Sequence, residues 1–137
     1  MERTKRLGEI IPKKKKRILI SSAKDKGRRL QKWVCSQISE LTRFECGPSG
    51  QDYPIESRPM GQSGTDIRME SHVLKAFPFS VECKHQESWS VHSWIEQAKK
   101  NELKKTDWLL ICKKNNKEPI VIMDAAKFFI LLKSKGL

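Results

Sequence analysis

Three side chains in the middle of the chain have the types and spacing for metal-assisted chemistry on an anion: Asp66, Glu82 and Lys84. Asp66 sits in a β-like segment between Thr65 and Ile67. Glu82 and Lys84 sit in a second, Phe-Pro-Phe-Ser-Val-Glu-Cys-Lys (77–84). Side chains alternate across a pleated strand, so Phe79, Val81 and Cys83 fall on one face and Ser80, Glu82 and Lys84 on the other. Glu82 and Lys84 are then same-side neighbours, roughly 7 Å apart along the chain. A strand that buries Phe, Val and Cys is a costly place for Glu and Lys without partners. Two carboxylates at adjoining strand ends can hold a hard divalent cation and leave an ammonium beside it. The plainer alternative is an exposed Glu–Lys ion pair, which contributes little to stability and does no chemistry.

The surroundings favour the first reading. Gly61, Ser63 and Gly64 precede Asp66 in a turn that lets the backbone approach a ligand, although a plain hairpin turn needs the same residues. An apolar strand leads into Glu82, and Trp-Ile-Glu-Gln-Ala (94–98) follows. Asp66 followed by Glu82-Cys83-Lys84 resembles the signature of the PD-(D/E)XK nuclease superfamily. The run Arg-Pro-Met-Gly-Gln-Ser-Gly-Thr-Asp-Ile (58–67) looks most like its Holliday-junction resolvase and phage endonuclease branch, and the likeness covers residues 24–123.

That resemblance implies a Mg²⁺- or Mn²⁺-dependent DNA endonuclease. Asp66, Glu82 and the Cys83 carbonyl would hold the cation, and Lys84 would position water or stabilise developing charge. A Gln or Lys in the following helix often contacts the scissile phosphate, and Gln97 stands there. The family's first helix often carries a Glu, where this chain has Gln31, a neutral amide that orients water but adds no charge. Glu56, in the first strand, is the candidate replacement acid. The implied substrate is branched DNA, cut by a homodimer whose two-fold axis suits paired cuts.

These residues need elements to position them. A helix is expected over 23–42, with Ser21 and Ser22 as caps and Leu30, Trp33, Val34, Ile38 and Leu41 facing the core. A loop with Gly and Pro covers 43–54, and strands follow at 55–59 and 65–70. Residues 71–77 then cross to the strand ending at Lys84. A helix is expected over 90–103. Trp89 and Trp94 could each stack on a base; Trp94 is expected in the core instead, and Trp89 is open to either. Strands follow at 108–112 and 119–123, and Asp124 caps a last helix through Lys133. This order, helix, three strands, helix, two strands, helix, predicts an α/β fold with one central mixed five-stranded sheet flanked by helices. It agrees with the restriction-endonuclease-like core that the resemblance implies.

Composition sets the outer bounds. The chain has 137 residues, 37% of them hydrophobic, enough for one modest domain. Residues 1–17, peaking at Lys13, Lys14, Lys15, Lys16 and Arg17, are expected to form a flexible basic tail before a single domain over 18–137. The formal charge of +12 points to a polyanion, nucleic acid before membrane. Arg28, Arg29, Arg58 and Arg68 are candidates, with the tail, for phosphate contacts. No apolar run is long enough to span a membrane or serve as a signal peptide. The four cysteines, 35, 46, 83 and 112, form no zinc spacing and read as reduced core residues, which suits the cytoplasm of a bacterial or phage-infected cell. Two rivals share these features: a less selective DNA nuclease, and a basic DNA-binding protein without catalysis. Gln31 favours the second, and two carboxylates beside a phosphate site weigh against it.

Overall fold

The computed structural model describes residues 2–59 and 63–136, with side chains from residue 22 onward. Among these residues the order is α1 (Glu2–Thr42), β1 (Cys46–Pro48), β2 (Ile55–Ser57), β3 (Ile67–Met69), α2 (Ser71–Ala76), β4 (Phe79–His85), α3 (Val91–Lys100), β5 (Asp107–Lys113), β6 (Ile120–Ile122) and α4 (Ala125–Ser134). The class is α/β, as expected. No helix among the described residues is long and apolar enough to cross a membrane.

The single five-stranded sheet is corrected. Six strands form two three-stranded mixed sheets among the described residues, ordered β1-β2-β3 and β4-β5-β6. The first pairs β1 parallel and β3 antiparallel to β2, and the second pairs β5 parallel to β4 and antiparallel to β6. The sheets meet where Asp66 N donates to Val81 O at 3.0 Å. One step further along β4, the Cys83 N–H goes to the Asp66 side chain. In a continuous sheet that donor would pair with a carbonyl of a neighbouring strand. A functional side chain thus stands where a ladder bond would be.

The extra strand, β1, lies in the expected loop. Gly and Pro are depleted in strands, which hides it in the sequence, but an edge position tolerates both. Gly47 lies under the Tyr53 ring, where a Cβ has no room. The short α2 occupies the expected crossing and buries Val73.

In α1 the buried stripe is Leu30, Val34, Cys35 and Ile38, with Gln31 among them. These packed residues join Val81, Cys83, Leu109 and Ile111 from one face of the second sheet and Ile55, Ile67 and Met69 from the first. Trp33 and Leu41 are corrected: they are 45% and 70% exposed. At 100° per residue Trp33 points well away from that stripe, and Leu41 lies in the helix's last turn. Ser22 is also no N-cap, because α1 runs through it from Glu2. The Lys, Arg, Leu and Ile residues before it propagate a helix adequately, so a capping side chain does not force a start. Opposite α1, helix α3 covers the other face of the second sheet, where Trp94 packs on Leu110 and Cys112. Asp124 caps α4 as expected, its Oδ1 accepting from Lys127 N at 3.2 Å.

Candidate active site

Strand β4 separates two environments as its alternation predicts. Phe79, Val81 and Cys83 enter the core shared with α1. Glu82 and Lys84 lie on the other face, opposite Leu110 and Cys112 of β5. Glu82 is nonetheless buried, at 3% exposure. Lys84 Nζ stands 3.8 Å from Glu82 Oε1, while Glu82 Oε2 is buried with no hydrogen-bond partner.

Asp66 comes to the free edge of this strand. Gly64, at φ +97°, makes the turn before it with a backbone conformation that L side chains rarely adopt. Asp66 Oδ2 accepts the Cys83 N–H at 2.7 Å. Arg58 is held to the same turn, its N donating to Asp66 O at 2.8 Å and its guanidinium lying beside Gly64. Arg58 Nε is buried without a partner.

Burial dominates the electrostatics. It raises the Asp66 carboxyl, against the Cys83 N–H, Lys84, Glu82 and Arg58. Burial, then the Asp66 charge, pushes Glu82 up to about 7, with Lys84 and the Asn101 side chain pulling it down. Two desolvated acids beside each other, one oxygen without a partner, form a site that gains from a cation. Among the described residues no three His, Cys, Asp or Glu side chains converge on a metal position. The protein's share of a coordination shell would be two carboxylates and main-chain oxygen. That suits a hard divalent cation that keeps part of its water shell.

A family model described as "Phage putative PDDEXK endonuclease" matches residues 22–136. The chain belongs to that family. No curated protein and no solved structure matches.

Within a phage PD-(D/E)XK endonuclease, the other expected site residues fall into distinct places. Gln31 is buried in α1. Four residues on, Cys35 packs in one core with Cys83, and five residues back, Lys26 lines a cavity with His85. Gln31 therefore lies beside β4 between those levels, on the α1 face. Gln97 is exposed on α3, one turn before Asn101. Asn101, at the C-terminal end of α3, is a residue the sequence reading passed over. It follows Trp94 and Ala98 at i+7 and i+3, and that spacing on the buried face was the available signal.

Glu56 is not brought to the other acids. Its Oε1 takes Arg68 Nε at 2.6 Å, and its Oε2 accepts Gly50 N at 2.7 Å and Gln51 N at 3.3 Å. Arg68 also donates to Tyr53 O at 2.7 Å, so both residues are committed to the first sheet. Arg28 and Arg29 are exposed on α1. The side chains of Lys13–Arg17, and Gly61, lie outside the described residues. Trp94 is buried as expected. Trp89 is half-buried, donates from Nε1 to Gln86 O at 2.7 Å and carries Lys114 over its ring at 5.6 Å. Cys35, Cys83 and Cys112 are buried, Cys46 partly so, and all four are free thiols.

Proposed function

We propose that this endonuclease hydrolyses phosphodiester bonds of branched DNA in a divalent-metal-dependent reaction, as a homodimer. The carrying observation is the 2.7 Å bond from Cys83 N to Asp66 Oδ2, which holds Asp66 beside Glu82 and Lys84. The N–H and C=O of one strand residue point the same way, so the Cys83 carbonyl faces the same edge as Asp66. Asp66, Glu82 and that carbonyl would hold Mg²⁺ or Mn²⁺. Such a cation lowers the pKa of a bound water and offsets charge on the phosphate. Lys84 supplies a fixed positive charge to the reacting phosphate or its water. Gln31 orients solvent from the α1 face, and Gln97 contacts the phosphate from the end of α3.

Phosphate contacts extend from Arg58 into an adjoining groove of about 860 Å³ that also presents Lys24, Arg28 and Lys32. The tail residues Lys13–Arg17 add further positive charge. The likeness of 58–67 to resolvases supports a branched substrate. A homodimer is supported by an apolar outer surface, where Ile120, Val121, Phe128, Phe129 and Ile130 are each about half exposed. Strand β6, at the end of its sheet, also offers an unpaired edge there.

Incubation with a four-way junction, a flap, duplex and single strand tests this, each with Mg²⁺, Mn²⁺ or EDTA. Paired cuts in the junction with Mg²⁺ or Mn²⁺ are expected, with little cutting of duplex. Cleavage undiminished by EDTA removes the metal, and equal cleavage of all four forms removes the selectivity.

A further inference from the structure

A second cavity, about 530 Å³, opens between α1 and the ends of β4 and β5. That volume is within the range of small-ligand sites. Its walls combine an aromatic face with cations: Trp33, Lys26 and Arg29 come from α1, and His85, Lys113 and Asn115 come from the strand ends. Trp33, 45% exposed, turns an aromatic surface to this cavity. Across the cavity His85 Nε2 and Asn115 Oδ1 hydrogen-bond at 3.1 Å. One carboxylate, Glu118, stands among the cations.

This chemistry matches a nucleotide. An aromatic face stacks any base, at about 1–3 kcal/mol for each, and lysine and arginine take the phosphate. Glu118 and Asn115 can accept from a base amino group. A base inside a duplex cannot enter such a cavity, because it is stacked and paired on both sides. His85 directly follows Lys84 in β4, and it lies two residues, about 7 Å, beyond Cys83. By the same alternation His85 shares the α1 face with Cys83, so the cavity opens on the opposite face of β4 from Glu82 and Lys84. A DNA strand would have to pass the C-terminal end of β4 to occupy both.

We infer that this cavity receives one unpaired nucleotide of the DNA substrate, its base stacked on Trp33 and its phosphate on Lys26, Arg29 or Lys113. The inference rests on the branched-DNA reading above and deepens it. It makes recognition depend on a base freed at the branch rather than on duplex arms alone.

Binding in Ca²⁺, where little cutting is expected, tests it apart from catalysis. The probes are a flap or junction carrying unpaired nucleotides, a matched duplex, and free deoxyadenosine monophosphate. Trp33→Ala is expected to weaken the first by about tenfold or more and the duplex by less than about twofold, while Trp33→Phe retains tight binding. In the wild-type protein, 2-aminopurine at one unpaired position is expected to lose fluorescence on stacking. Equal losses for duplex and branched DNA, no loss for either, or no quenching at any unpaired position would each overturn the inference. Free deoxyadenosine monophosphate binding as tightly as the branched DNA would assign the cavity to a small nucleotide instead. If Trp33→Ala binds and cuts like the parent, the cavity assignment falls and the nuclease reading stands. If wild type uses Trp33 in binding yet never cuts, the reverse holds.

Discussion

Lys84 separates a structural ion pair from a reacting group. As a mere partner of the buried Glu82 it would cost about 2–3 kcal/mol of stability when removed, and the activity of the folded protein would be unchanged. As a preorganised charge it is worth on the order of 100-fold or more in rate. Lys84→Ala is therefore expected to remain folded at reduced stability and to lose cleavage on that scale. Asp66→Asn and Glu82→Gln should lose cleavage likewise while binding DNA slightly more tightly, since each removes repulsion toward phosphate. A Lys84→Ala protein that cuts at the parent rate sinks the catalytic assignment. Glu82 also sets a pH dependence in the metal-free protein. Its carboxyl titrates at 4.5 when unfolded and at about 7 when folded. Between those values the folded state keeps a proton that the unfolded state has lost. The contribution of Glu82 to stability should thus be greatest below pH 4.5, fall as pH rises to about 7, and level off above it. The scale is on the order of 3 kcal/mol. Urea midpoints in EDTA should show this slope for the parent and a flatter one for Glu82→Gln.

Among the elements, the first sheet depends on one pair. Burial pushes Glu56 up, but the Arg68 hydrogen bond and charge and the Gly50 and Gln51 N–H groups outweigh it and leave the carboxyl lowered. Its contribution is present above pH 4.5 and is lost as pH falls through the folded value. Arg68→Ala would leave a buried carboxylate without its cation, costing about 2–3 kcal/mol by denaturant titration. A loss below about 0.5 kcal/mol would mean that the backbone donors alone hold Glu56. The helix–sheet core makes a second expectation. Burial raises the Cys35 thiol to about 12 and the Cys112 thiol to about 11, and Cys83 well above its usual range. In the native protein a thiol reagent should label Cys46, the partly exposed one of the two thiols that border the basic groove, and spare the buried Cys35, Cys83 and Cys112. Labelling of Cys35 and Cys83 without denaturant would mean that α1 detaches from the sheets.

At the scale of the whole molecule, charge and outer surface govern association. With a formal charge of +12, binding should be strong at low salt and fall steeply as salt rises. Deleting residues 1–17 should weaken all DNA forms alike and flatten that salt dependence, since phosphate contacts carry no base information. Collapse of binding to one structure alone would make the tail a recognition element. The apolar face of β6 and α4 is where a second copy would sit. Val121→Lys with Phe129→Glu should give a folded monomer by light scattering and abolish paired cutting of a junction. An unchanged mass would place any dimer contact elsewhere.

The sequence by itself determined what depends on near neighbours. Alternation put Glu82 and Lys84 on one face of β4, because the period of a strand is local. Helical spacing buried Leu30, Val34, Ile38 and Trp94, and Asp124 announced its own helix. The motif from Asp66 to Lys84 gave the family because its residues keep their order in the chain. Tertiary structure decided the rest. Only folding could show that Glu56 turns to Arg68 rather than to the other acids, since both partners look equally free in sequence. Only folding brought Asn101 beside Glu82 and left Trp33 over a basic cavity, because helix rotation against a sheet is set by the sum of its contacts. The broken sheet has the same origin. Asp66 occupies the Cys83 N–H that a continuing strand would use, and no local pattern records which of two acceptors a distant donor will find.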